Sequence, residues 1–158
     1  MVEEGRARGS LTLKGFEMKV EVDDRRHVVK VIGGEAVEED RDGRKLLRIK
    51  ITAEVGRVEG EHIVDPVVRE YTITYGRYRK INTAVGRAYA SIYAPGGREA
   101  DAERFSALIK ALTGREPRII ERSNGKIMME CYEGHLEGFM RYKELVDAIE
   151  KWLEETGR

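Results

Sequence analysis

Arginine, lysine and tyrosine side chains alternate over the middle of this chain in a pattern that could bind nucleic acid. Arg and Lys neutralise phosphates and Tyr packs on sugars or bases, so both types on adjacent strands are typical of a nucleic-acid-binding face. The set comprises Arg69, Tyr71, Tyr75, Arg77, Tyr78, Arg79, Lys80, Arg87, Tyr89 and Tyr93, and Arg115, Arg118, Arg122 and Lys126 extend it. A purely structural interpretation competes, because tyrosines also fill strand cores and arginine stems cover them. From this set we predict that nucleic acid contacts Arg69, Tyr75, Arg77, Arg79, Lys80, Arg87, Arg118, Arg122 and Lys126.

Two small groups contain metal-binding residue types, but each is incomplete. Glu61, His62 and Asp65 could supply some of the ligands of a metal site, and the spacing between Cys131 and His135 is also compatible with metal binding. Each group supplies only two or three ligands, so a surface loop and a strand end are the structural alternatives. Cys131 also lacks an Asn or Asp placed by sequence to orient His135 as its base, and its alternation with neighbouring apolar residues predicts a core position. We therefore expect no metal, no cofactor and no catalytic residue.

The glycine pairs of the sequence do not form a phosphate-binding loop. Gly33-Gly34 and Gly96-Gly97 lack both the glycine spacing and the Lys-Ser or Lys-Thr that such a loop requires. We interpret both pairs as turns.

Composition limits the possible partners and the source of the protein. The 158 residues include 29 basic and 29 acidic side chains, so the chain has no net positive field, and any anion-binding surface must be local. The sequence contains no Gln and two Asn, whereas it contains 22 Glu and 19 Arg. Loss of thermolabile amides and gain of ion pairs are typical of a hyperthermophile. One Cys excludes an internal disulfide, and the lack of a long apolar segment favours a cytoplasmic protein.

The first half of the chain is rich in predicted strands. Leu47, Ile49, Ile51, Ala53 and Val55 alternate with polar residues, which predicts a strand with one buried face and one wet face. We expect further strands over residues 11–22 (with a bulge at Gly15), 27–32, 67–78 and 88–93, although residues 81–85 could instead begin a helical turn. Residues 35–45 and 56–66 are expected to be connections, and residues 1–10 a frayed terminus or an added start.

The last third of the chain is expected to form a helix, a hairpin and a second helix. Asp101 can cap an amphipathic helix that ends at Gly114, and Ser123-Asn124-Gly125 is typical of a tight hairpin turn. A second amphipathic helix is predicted from Arg141 to Glu155. The sequence thus predicts one α+β domain over residues 11–158 with a mostly antiparallel sheet and two C-terminal helices. It has a strand-rich part (11–80) and a strand-helix-hairpin-helix part (87–157).

Several segments resemble known families. DAERFSALIKALTG, REPRIIERSNGKIMMECYEGHLEGF and RYKELVDAIEKWLEETG together resemble the second part of a LAGLIDADG homing-endonuclease unit, in which a saddle-shaped antiparallel sheet packs on helices. GFEMKVEV, RIKITAEV, GRAYASIYAPGGREADAERFSALIKALTGREP and YKELVDAIEKWLEETGR resemble the paREP repeat-element proteins of hyperthermophilic crenarchaea. Those proteins come from multi-copy genes with no established activity, and the similarity runs from Leu11 to the end of the chain.

The LAGLIDADG resemblance implies a sheet face that lies in a DNA major groove. This chain departs from that family in lacking its signature dimerisation helix, whose terminal acid holds the catalytic metal. Our leading hypothesis is therefore a non-catalytic domain that binds double-stranded DNA, from an archaeal mobile-element-like gene. The alternatives are a structural or oligomerising domain and, with less support, a metal-dependent nuclease that uses acids such as Glu54 or Asp65. The sequence leaves the oligomeric state open.

Overall fold

The computed structural model describes residues 7–157, which form a seven-stranded antiparallel sheet and three helices. The strands are β1 (Glu17–Val22), β2 (Arg25–Arg41), β3 (Arg44–Glu59), β4 (His62–Tyr78), β5 (Thr83–Tyr89), β6 (Arg118–Glu121) and β7 (Ile127–Cys131). The helices are α1 (Gly97–Thr113), α2 (Glu133–Phe139) and α3 (Val146–Thr156). This arrangement confirms the predicted α+β class with an antiparallel sheet. Residues 1–6 of the predicted frayed segment lie outside the described residues, and beyond them the Gly9 amide donates to the Met140 carbonyl at 2.9 Å.

The sheet has the strand order β1-β2-β3-β4-β5-β7-β6. Two-residue loops, Asp23-Asp24, Asp42-Gly43 and Gly60-Glu61, join the first four strands into consecutive hairpins. In the first two loops both residues have φ between 53° and 77°, a conformation that matches the twist of paired strands and that Asp and Gly tolerate. The hairpins β2–β3 and β3–β4 are long, and each contains one register shift, between Val31 and Gly33 in β2 and between Val55 and Arg57 in β3.

One face of the sheet packs against the helices and forms the main hydrophobic core. Leu47, Ile49 and Ile51 of β3 belong to this core, as their alternation predicted. The Tyr71 ring lies 6.1 Å from the ring of Phe105 in α1, and the Tyr75 ring lies 6.3 Å from that of Trp152 in α3 (centroid distances). Helices α1 and α3 thus lie on the same face.

The opposite face carries only a thin apolar layer. Val28, Leu46, Val85 and Met128 are buried there but do not belong to the main core cluster. In β3 the residues on this face alternate with the core residues. Arg48, Lys50, Thr52 and Glu54 therefore also project from this face. No described helix packs on these positions, and we call this side the open face.

Two segments that we expected to be connections are instead strand. Residues 35–45 complete β2 and turn into β3, because Ala36, Glu38 and Asp40 continue the pairing with Ile49, Leu47 and Lys45. Residues 56–66 likewise form the ends of β3 and β4, with an irregularity between Val55 and Arg57. The predictions were wrong because the charged residues at these positions form the solvent-exposed ends of paired strands. Within residues 35–45 and 56–66, only Asp42-Gly43 and Gly60-Glu61 lie between strands as turns.

The helices differ from prediction at their starts. Helix α1 begins four residues before Asp101, which is buried rather than a cap, whereas Gly114 ends it with φ 83° as expected. The predicted final helix starts at Val146 rather than Arg141, because backbone bonds join Leu11 to Arg141 and Lys143. Because of that pairing, residues 141–145 are not part of the helix. The short helix α2 was not predicted.

No helix in the described part of the chain has the length and hydrophobicity needed to cross a membrane.

Candidate nucleic-acid interface

Basic side chains concentrate on one half of the open face, from the β2–β3 turn across to β6. Alternation and pairing place seven of them there, and we call this set the basic sheet face: Arg41, Arg44, Arg48, Lys50, Arg87, Arg118 and Arg122. Four carboxylates lie among them, namely Glu35, Glu39, Glu70 and Glu130. The basic sheet face therefore has an excess of three positive charges although the chain as a whole is neutral.

The other half of the open face is electrically balanced. Three cations, Lys19, Arg26 and Lys30, lie there with three carboxylates, Glu17, Glu21 and Glu54. The charge asymmetry along the sheet is local, as the neutral composition required.

Arg87 lies near the centre of the basic sheet face and is held by its neighbours. Its Nε donates to Glu130 Oε2 at 3.0 Å, and its guanidinium carbon lies 4.8 Å from the Tyr78 ring centroid. The Tyr132 hydroxyl donates to the other Glu130 oxygen at 2.7 Å. Burial acts to raise the pKa of Glu130, but the hydrogen bonds from Tyr132 and Arg87 outweigh it and lower that pKa. Glu130 therefore stays ionised and holds the Arg87 side chain in place on the open face.

A cleft of about 520 Å³ adjoins Arg87 where β5 separates from β4. The register explains the separation, since β5 pairs only with the Thr74–Tyr78 end of β4. The cleft is lined by Arg41, Arg44, Thr72, Tyr78 and Tyr89, among other residues. Hydroxyl, aromatic and guanidinium groups are the types that contact phosphates and sugars.

Six of the residues predicted to bind nucleic acid are compatible with this surface. Arg87, Arg118 and Arg122 belong to the basic sheet face. Arg79 and Lys80 are exposed in the β4–β5 turn, and Lys126 is exposed in the β6–β7 turn.

The other three predicted residues belong to the helix-covered side, although Arg69 also lines the cleft beside Arg87. Tyr75 has no exposed surface and its hydroxyl donates to the Tyr132 carbonyl at 3.0 Å, so its prediction as a binding residue was wrong. Arg69 forms a bidentate ion pair with the buried carboxylate of Asp101. Arg77 lies over the Trp152 ring at 5.7 Å and contacts Glu133. These arginines stabilise the packing of helices on the sheet.

Four members of the basic sheet face, Arg41, Arg44, Arg48 and Lys50, were not predicted. The first two lie in a segment that we took to be a connection. The signal for Arg48 and Lys50 was present, because both occupy the wet side of the β3 strand that the sequence does predict.

The candidate metal and nucleophile residues are dispersed or buried. Among residues 7–157 no group of three or more His, Cys, Asp or Glu side chains could hold a metal ion. Burial raises the pKa of the Cys131 thiol to about 12, which fits the predicted core position. His135 accepts the Tyr132 amide at Nδ1, and burial lowers its pKa. It stabilises the start of α2.

Comparison of this chain with protein-family models, curated proteins and solved structures finds no match. Its function must therefore be inferred from the geometry of its own residues.

Proposed function

We propose that this protein binds double-stranded DNA without cleaving it, through the basic sheet face. The observation that carries the proposal is a sheet that, among residues 7–157, is packed by helices on one side, with its positive charge gathered on half of the other side. A twisted antiparallel sheet can enter a major groove with its strands, as other β-sheet DNA-binding proteins do. The LAGLIDADG resemblance implies the same use of a sheet.

The side chains of the basic sheet face suit contacts to phosphates more than the reading of bases. Arginines are abundant, whereas the Asn and Gln side chains that pair with adenine are missing from the described strands. Phosphate contacts give affinity that depends strongly on salt and little on sequence. We therefore expect binding that is weakly sequence-specific.

The test is an electrophoretic mobility shift at low salt with a duplex of mixed sequence. The double variant Arg44→Glu and Lys50→Glu changes two cations of the basic sheet face for which the described residues show no ion pair. We expect a shift at micromolar wild-type protein and at least about tenfold weaker binding by the variant. The slope of log affinity against log salt should become shallower by about 0.9 for each phosphate that the variant no longer neutralises.

The matched control is Lys19→Glu with Arg26→Glu, on the balanced half of the same face. This pair makes the same change in net charge but should weaken binding much less when the two double variants are compared at about 0.1 M salt, where long-range attraction is screened over about 10 Å. The proposal fails if the wild type gives no shift at micromolar concentration. It also fails if both double variants bind equally.

A second candidate function is oligomerisation. Tyr89, Ile92 and Tyr93 are exposed apolar side chains close together at the end of β5, with Tyr93 93% exposed. Such clusters mark interaction surfaces. Light scattering distinguishes the two functions, because an oligomerising domain should be a stable dimer or larger at all salt concentrations and should not bind DNA.

A further inference from the structure

The cleft between β4 and β5 opens on the basic sheet face and extends down to the hydrophobic core. Its volume of about 520 Å³ is in the range of small-ligand sites. Tyr71, Phe105 and Met129 of the main core line it, and so do Thr72 and Thr74, which alternate with the core residues of β4 and project from the open face. An apolar floor below a polar rim suits a flat ring with polar edges better than it suits a phosphate.

Main-chain groups of both strands face this cleft. The amide of Ala90 donates to β7, and residues of an antiparallel ladder alternate in direction, so the amide and carbonyl of Tyr89 point toward β4. The last pair of the β4–β5 ladder is Thr74 with Arg87. Thr72, two residues before Thr74, therefore points its own amide and carbonyl toward β5, beyond the end of the ladder. Donors and acceptors at these positions match what the edge of a nucleobase requires.

The side chains at the mouth of the cleft suit a base that is attached to a charged backbone. Tyr89 lines the cleft and is 57% exposed, so its ring offers a surface on which a base can stack. The carboxylate of Glu70 can accept a hydrogen bond from a base amino group. Arg44 lies across Gly76, where a Cβ would be 3.0 Å from its Nη2, so the missing side chain lets this cation lie against the sheet beside the cleft.

We propose that the cleft receives a single unpaired base of the bound DNA, so that the protein prefers a duplex with an extruded nucleotide to a continuous duplex. The base packs on Tyr89 and enters between β4 and β5, while the phosphates on either side of it contact the basic sheet face. Extruding a base costs pairing and stacking energy, and this cost is least for a base that has no partner. The inference rests on the proposed DNA binding and adds the class of DNA that is preferred.

The test compares three duplexes that differ at one position, by fluorescence anisotropy at about 0.1 M salt. The first duplex is continuous, the second carries one extra unpaired adenine, and the third carries an abasic sugar in place of that adenine. We expect the adenine duplex to bind about tenfold more tightly than the abasic duplex, the size of effect typical of one base stacked on an aromatic ring. Because the abasic duplex keeps the extra backbone unit, this difference measures the base itself.

Two substitutions with matched controls locate the base. Tyr89→Ala removes the stacking ring and should abolish most of the difference between the adenine and abasic duplexes. Tyr93→Ala is its control, because Tyr93 is 93% exposed in the same segment but does not line the cleft. Thr72→Met narrows the cleft without a change in charge and should have the same effect as Tyr89→Ala. Thr52→Met, on the same face of the sheet but outside the cleft, should leave the difference unchanged.

The outcomes separate this inference from the proposed function. Equal binding of the adenine and abasic duplexes by the wild type at micromolar concentration would overturn the inference and leave the proposed function standing. No binding of any of the three duplexes would overturn both. A preference for the adenine duplex that survives Tyr89→Ala or Thr72→Met would mean that the base lies elsewhere, which also overturns the inference.

Discussion

The carboxylate of Asp101 joins three elements and has no exposed surface. It accepts two hydrogen bonds from Arg69 of β4, at 2.8 and 2.9 Å, and one from the Ser91 amide at 2.8 Å. Arg104 lies 4.0 Å away on the same helix. A buried charge that satisfies its partners in this way is costly to remove, because the partners are left without compensation.

We expect Asp101→Asn to lower the free energy of unfolding by about 3 kcal/mol, since Arg69 is left as a half-buried cation without a counter-charge. Urea unfolding measures the change. Asp65→Asn is the control, because Asp65 also pairs with an arginine but its side chain is 76% exposed. That change should cost less than about 0.5 kcal/mol. Equal effects of the two substitutions would contradict the structural role of Asp101.

For individual side chains, strand alternation in the sequence predicts which face of the sheet a residue lies on, which composition cannot do. Arg69 and Arg77 share the odd-numbered positions of Tyr71, Ile73 and Tyr75, so alternation alone places them on the covered face. The same argument places Arg48 and Lys50 opposite the β3 core. What alternation could not supply was Arg41 and Arg44, because their strand continues through a charged segment that looks like a loop.

At the scale of elements, β5 depends on a glycine. Gly86 pairs with Tyr75 across the β4–β5 ladder. A Cβ at position 86 would lie 2.6 Å from Tyr75 Cε1 and 2.8 Å from Ile73 Cγ2. The Tyr75 ring therefore lies across the bare backbone of β5, from which it reaches both Trp152 and the Tyr132 carbonyl.

We expect Gly86→Ala to destabilise the fold by about 1–3 kcal/mol, the usual cost of overpacking a core. Gly33→Ala is the matched control, because no described atom lies within 4 Å of a Cβ at that position and its φ is not positive. Thermal unfolding of both variants measures the difference. A destabilisation at Gly86 no larger than that at Gly33 would show that Tyr75 can move aside at no cost.

The elements that the sequence predicted well are those whose signals are local. The alternation of β3, the Asn124-Gly125 hairpin turn and the stop of α1 at Gly114 each depend on a few neighbouring residues. The late start of α3 depends instead on Leu11, whose amide donates to Arg141 and whose carbonyl accepts from Lys143, more than 100 residues along the chain. Helical periodicity cannot reveal such a competing partner.

At the scale of the molecule, the two ends of the described chain are bound to each other, and the C-terminal end is also bound to the start of β3. Glu144 accepts hydrogen bonds from the amides of Leu13 and Lys14, at 2.8 and 3.1 Å. The Trp152 indole donates to the Lys45 carbonyl at 2.9 Å. The strand-rich part and the helical part predicted from the sequence thus share one core rather than forming separate units.

This sharing predicts that urea unfolds the protein in a single transition. Trp152 is the only tryptophan and is completely buried against Tyr75, so its fluorescence reports the docking of α3 on the sheet. Far-ultraviolet circular dichroism reports the strands themselves. Because α3 shares one continuous core with α1 and β2–β4, its loss should open that core to water, and the two signals should give the same midpoint and slope. Refolding by dilution should retrace both curves. A fluorescence midpoint at lower urea than the dichroism midpoint would instead mean that α3 opens as an independent unit.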